Sequence, residues 1–167
     1  QSKIKKTIVE EFIKKHTPQM LCDLGCNTGE FSEASLNAGG KSVIGFDYDQ
    51  GALIKSYNRS KEKNLNFLPL YLDASNPSIN IGWNQQERVG FIERCKFDAL
   101  IALAFEHHLA IAKNIPLENL IDWFLSIAPK GLIEFVPKED DTIKIMLSFR
   151  KDIFEDYTED NFKKILL

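Results

Sequence analysis

The sequence predicts an α/β protein built on a doubly wound, mostly parallel sheet. Three observations predict it. Five short apolar runs alternate with helix-period segments along the 167 residues, and strands joined through helices lie parallel with both faces covered. The run from Phe97 to Leu103 is apolar almost throughout, as a strand buried on two sides requires. Glycines stand where the first run passes into a helix, at Gly25 and Gly29. A chain of this length suits one domain, spanning 1–167, that buries roughly 70% of its unfolded surface.

Each element follows from its own pattern. Ile4, Ile8, Val9, Phe12 and Ile13 recur at helical spacing and predict a packing helix over about 3–15, ended by His16-Thr17-Pro18. Met20, Leu21 and Leu24 make a first strand, and a helix over about 29–38 stops at Gly39-Gly40. Val43, Ile44 and Phe46 form the second strand, and Asp49 is placed to cap a helix reaching about residue 61. The third strand, 65–72, contains Pro69, which assigns it to a sheet edge. Residues 73–95 are irregular. The fourth strand is 97–103, helical segments follow at about 107–113 and 117–128, and the fifth strand is 131–136.

Composition bounds the partners. Hydrophobic residues are 44% and charged residues 27%, an ordinary globular balance. The net charge of -3 argues against nucleic acid, which calls for a strongly basic face. Cys22, Cys26 and Cys95 are odd in number and irregular in spacing, so they read as free thiols in a reducing cytoplasm, not as a disulfide or zinc framework. No apolar run has transmembrane length, so no membrane partner is expected.

The chemistry concentrates at the ends of the first three strands. In Asp23-Leu24-Gly25-Cys26-Asn27-Thr28-Gly29, Gly25 lets the backbone approach a ligand and Gly29 permits close packing where a helix begins. The N–H groups of that helix start can receive a carboxylate. Asn27 stands where a dinucleotide fingerprint wants its middle glycine, which weakens a nicotinamide reading. Asp23 is placed to hold an ammonium group, directly or through water. Cys26 reads as a packing residue whose backbone lines a ligand. Asp47, followed by Tyr48, ends the second strand, where a carboxylate accepts from two ribose hydroxyls. Asp73 and Ala74 end the third, placed to take an adenine amino group and donate to its ring. Asp73-Ala74-Ser75-Asn76-Pro77 is equally good turn chemistry.

The series Asp23-x-Gly25-x-x-x-Gly29, Asp47, Asp73-Ala74 and an apolar fourth strand resembles the class I S-adenosylmethionine-dependent methyltransferases, over about residues 19–136. The segments Ala104-x-x-His107-His108-Leu109-Ala110-Ile111 and Ile133-Glu134-Phe135-Val136-Pro137-Lys138-Glu139-Asp140 look like the nodulation-related members, as do Asp152-Ile153-Phe154 and Asp156-Tyr157-Thr158. The resemblance implies a Rossmann-like fold and S-adenosyl-L-methionine as cofactor. It also implies a methyl acceptor lying near the fourth strand, where His107 or His108 would be a general base; adjacent helical positions point about 100° apart, so at most one faces the pocket. Packing histidines, a cap, and a Glu/His metal site are the competing readings. Trp83, Phe91 and Arg94 read either as a lid or as the anchor of a long loop.

A small-molecule acceptor is the favoured reading, with a non-catalytic cofactor-binding module or an RNA or protein methyltransferase as alternatives. The last needs a basic rim. The family pattern further implies two strands after Val136. Residues 137–167 read instead as two helices, which leaves the fifth strand as a bare edge. The expectation is therefore a sheet lacking its last two strands, in the front part of a longer protein.

Overall fold

The computed structural model describes residues 2–167. Its centre is a five-stranded, wholly parallel sheet of order β3-β2-β1-β4-β5, comprising β1 (Leu21–Leu24), β2 (Val43–Asp47), β3 (Phe67–Tyr71), β4 (Ala99–Ala102) and β5 (Gly131–Ile133). The strand order reverses between β1 and β4, the switch point at which ligands of open α/β sheets bind. Alternation along each strand sorts the core into two layers. Leu21, Val43, Phe67 and Ile101 face α1 (Ser2–His16), through Val9 and Ile13. The same side carries α2 (Glu30–Asn37) and α3 (Gln50–Glu62), which pack Phe31, Leu36 and Leu53 against it. Cys22, Leu24, Phe46, Leu100 and Ala102 face the other way, toward α4 (Phe91–Arg94), α5 (Glu106–Ala110) and α6 (Leu117–Ile127). The apolar stripe of α6, Leu117, Leu120, Ile121, Phe124 and Ile127, is buried.

Local signals explain most boundaries. Asp49 caps α3 by accepting from the Gly51 and Ala52 amides. Pro69 sits in β3, at the sheet edge as its chemistry demands. In the irregular stretch after β3, Ile81 and Arg88 form an isolated antiparallel bridge around a single 3-10 turn, Trp83–Gln85. The fifth strand is shorter than its apolar run predicts. It ends at Ile133, with one more ladder bond from Glu134 N to Ala102 O. The Val136 amide then turns to the Glu106 carboxylate at 2.8 Å and leaves the ladder.

Beyond Val136 the chain is helical, as the 3.6-residue reading of that stretch predicts. Helix α7 (Asp141–Ser148) is capped by Asp140, and α8 (Glu159–Leu166) by Thr158. An extended conformation, in which Ile143, Ile145, Leu147 and Phe149 would share one face, is ruled out by burial, because Ile143 is fully buried while Ile145 and Phe149 are exposed. Among the described residues β5 pairs with β4 alone. No helix in the described residues is long and apolar enough to cross a membrane.

Candidate active site

The C-terminal ends of β1, β2, β3 and β4 enclose a cleft of about 700 Å3. Its walls are the Leu24–Thr28 turn with Glu30 and Phe31, then Phe46–Asp49, Tyr71–Ala74, Leu103–Phe105, and the α5 side chains His108 and Leu109 with Ala112 and Lys113 beyond them. Every residue the sequence singles out at these strand ends lines this space except Asp23, Gly29 and His107.

The β1–α2 turn is shaped by left-handed backbone. Gly25 has φ 74° and Gly29 φ 79°; Asn27, in place of a middle glycine, has φ 48°, which asparagine tolerates better than most side chains. The absent Cβ atoms at two glycines are packing devices. A Cβ on Gly29 would lie 2.5 Å from the Phe67 ring, and one on Gly45 would lie 2.7 Å from the same ring. Gly25 differs from its sequence reading. The space its Cβ would take is filled by Phe105, 2.7 Å away, so the missing side chain admits a protein ring and not only a ligand.

Asp47 organises the turn. Its Oδ2 accepts from the Asn27 amide at 2.8 Å and its Oδ1 from the Asp49 amide at 2.9 Å. A carboxylate has about four acceptor positions, so each oxygen keeps one for a ligand. Helix α2 starts at Gly29 with no side-chain cap, which leaves first-turn N–H groups without an intrahelical acceptor beside the cleft-lining Thr28, Glu30 and Phe31. Sequence reasoning missed the brace behind this turn. Arg59 Nε donates to the Thr28 carbonyl at 2.8 Å, and its guanidinium, with Lys63, pairs with Glu33. The brace joins the α3 end to α2 across 26 positions, and spacing alone does not signal it.

Asp23 stands behind the wall. It is 3% exposed, and its Oδ2 accepts from the Ser32 hydroxyl at 2.5 Å. Burial pushes its carboxyl up to about 7, against the Ser32 hydrogen bond and with help from the Asp47 charge. Asp73 shows its turn chemistry, with Oδ1 accepting from both the Ser75 amide and hydroxyl. Those bonds hold it below the usual carboxylate range. Tyr48, though largely exposed, borders the cleft with Ala74. Cys26 also lines it, and burial pushes its thiol far up, which suits a packing residue and not a nucleophile.

The two histidines part company, as adjacent helical positions must. His108 lines the cleft, and burial, then the neighbouring His107, holds its imidazole below the ordinary value. His107 is corrected as a cleft residue. It is 2% exposed and turned into the core, with Nδ1 3.7 Å from the fully buried Glu106 carboxylate. Of the lid-or-anchor trio, Phe91 is an anchor, buried edge-on against Phe46 at 5.4 Å. Trp83 is 85% exposed and Arg94 donates to Ser78, neither in the cleft. Ala104, at φ 49°, is a non-glycine residue in left-handed backbone at the end of β4. Such strain gathers at ligand sites, but nothing in the sequence marks it.

A five-stranded parallel sheet with an acid-ended β2 and a glycine turn at its switch point is a Rossmann-like arrangement, the fold that solved methyltransferases share with this chain. The chain is 54% identical over 158 residues, 95% of its length, to nodulation protein NoeA of Rhizobium meliloti strain 1021, of which it spans 33%. A 63-residue stretch, 37% of the chain, is 33% identical to the ribosomal protein L11 methyltransferase of Histophilus somni strain 2336, covering 21% of it. Among solved structures, the bifunctional kinase-methyltransferase WbdD matches 96% of this chain and 34% of its own with TM-score 0.60 at 18% identity. The S-adenosylhomocysteine-bound Podospora anserina methyltransferase PaMTH1 matches 80% of this chain and 52% of its own with TM-score 0.54 at 12% identity. No family model matches the chain.

Proposed function

We propose that this chain is an S-adenosyl-L-methionine-dependent methyltransferase domain acting on a small-molecule acceptor. The observation that carries the cofactor reading is Asp47, held by two turn amides at the end of β2 with an acceptor position left on each oxygen. Those positions suit the two ribose hydroxyls. The uncapped start of α2 suits the amino-acid carboxylate, and Asp73 with Ala74 suits the adenine edge. The cofactor supplies an electrophilic methyl group on a sulfonium. The chain's own contribution is orientation in a cleft with apolar walls at Leu103, Phe105 and Leu109. His108, held neutral by burial, has a free lone pair at neutral pH for a proton leaving an acceptor hydroxyl or ammonium.

What supports a small acceptor is the charge of the wall. Glu30, Asp47, Asp49 and Asp73 line the cleft against a single cation, Lys113. An RNA substrate calls for the reverse. The three cysteines are free, which fits a cytoplasmic setting.

Calorimetric titration with S-adenosylhomocysteine tests the cofactor half; saturable one-to-one heat is expected, and none at any protein concentration used would sink the proposal. Incubation with methyl-labelled cofactor and separated cell fractions tests the acceptor half. Label in the low-mass fraction is expected. Label confined to RNA or protein points to the macromolecular alternative, and binding with no transfer to any fraction points to a non-catalytic module.

A further inference from the structure

Helix α5 is little more than one turn, Glu106–Ala110, and Phe105 at its start provides no side-chain cap. Yet this turn carries His108 to the cleft, so something else must fix it. The fixing point is Glu106. Its side chain is fully buried, and Oε1 accepts from the Val136 amide at 2.8 Å and from the Tyr157 hydroxyl at 2.7 Å. The same hydroxyl lies 2.7 Å from the Val136 carbonyl, so one phenolic proton serves two acceptors. Tyr157 is itself 4% exposed, stacked at 5.0 Å on Phe135. A closed triangle thus ties the start of α5 to the exit of β5 and to the loop before α8.

We infer that Tyr157 is a positioning residue for His108, acting through Glu106 across 51 positions of sequence. The coupling is mechanical and electrostatic. Glu106 and His108 are two positions apart on a single turn, so a displacement at one is transmitted to the other. The hydroxyl also offsets the carboxylate charge that His108 feels. The charged and titratable groups facing His108 are Glu106 and His107 from its own turn and Asp47 from β2, with Lys113 on the same cleft wall. Of these, Tyr157 contacts Glu106 alone. The inference rests on His108 being the cleft base, and it deepens that reading by naming what holds the base in place.

The test is a proton-NMR titration of the His108 imidazole in Tyr157→Phe, which keeps the ring and deletes the hydroxyl. Loss of the donor leaves the Glu106 charge less offset, so the His108 midpoint is expected to rise by at least about 0.3 pH unit, with a changed ring chemical shift. Affinity for S-adenosylhomocysteine should stay as in the parent, because Tyr157 does not touch the cleft. Phe162→Leu is the control for simple loosening, since Phe162 packs against the same Phe135 ring at 5.2 Å and offers Glu106 no hydrogen bond. An unchanged His108 midpoint in Tyr157→Phe overturns the inference, and so does an equal shift in Phe162→Leu. Neither result depends on cofactor turnover, so failure here is distinct from failure of the methyltransferase reading.

Discussion

Replacing Asp23 by Asn should remove the pH dependence that this buried carboxyl gives to stability. The carboxyl is buried under the β1–α2 turn, and burial raises it from 3.8 to about 7. Folding thus favours its protonated form. The sign follows from linkage: a raised folded-state value stabilises fully below the unfolded value, and that contribution is lost as pH rises through the folded one. Between 3.8 and about 7 the wild-type fold should lose about 4 kcal/mol through this group, a large share of a typical domain stability of about 5–15 kcal/mol. The amide of Asn is nearly isosteric, never charges, and still offers Ser32 an oxygen. Urea unfolding of both proteins at about pH 4 and about pH 8 measures the difference. Asn should be close to neutral at the lower pH and stabilising by up to about 4 kcal/mol at the upper. His108, whose value is lowered, contributes the opposite slope as pH falls below 6.5, but it is present in both proteins and cancels. Equal differences at the two pH values would show that Asp23 does not carry this pH dependence.

Three further outcomes follow from the cleft and the sheet beneath it. Asp47→Ala should lower S-adenosylhomocysteine affinity by at least about 100-fold, since two charge-assisted bonds of about 1.5–3 kcal/mol each are lost; Asp47→Asn should fall between, and calorimetry reads both. Gly45→Ala should destabilise by about 1–3 kcal/mol in chemical unfolding, because its Cβ meets Phe67 and Cys26 within 3 Å, and adding Phe67→Leu should recover part of the loss. His108→Ala should reduce methyl transfer at least about tenfold while leaving cofactor affinity as it was; full activity in this variant would move His108 out of the chemistry.

Much of this fold is legible because its signals are local. Asp49 announces a cap, Pro69 an edge, and the apolar run of β4 a strand with both faces covered. The β1–β3 side of the cleft is legible for the same reason, since the glycine turn and the acids at Asp47 and Asp73 sit at strand ends that periodicity can place. What escapes is whatever depends on a third element. Whether His107 or His108 faces the cleft is decided by how α5 is rotated, and that rotation is set by Val136 and Tyr157. The role of Gly25 depends on a phenylalanine 80 positions away. Glu106 looks from its neighbours like part of a charged or metal-binding cluster, but its partners are a backbone amide and a tyrosine hydroxyl from distant loops.

The two margins of the sheet are not equivalent. In β3 the even-numbered residues bond inward to β2, as the Val43 amide to the Asn66 carbonyl and the Leu72 amide to the Asp47 carbonyl show. The odd-numbered residues, Phe67, Pro69 and Tyr71, therefore turn their backbone outward. Pro69 has no N–H to offer at the middle of that row, so a strand arriving there finds donors only at the two ends, about 13 Å apart. Strand addition beside β3 is thereby disfavoured. Edge-to-edge stacking of copies cannot pass through this proline-blocked margin, whatever lies beside β5.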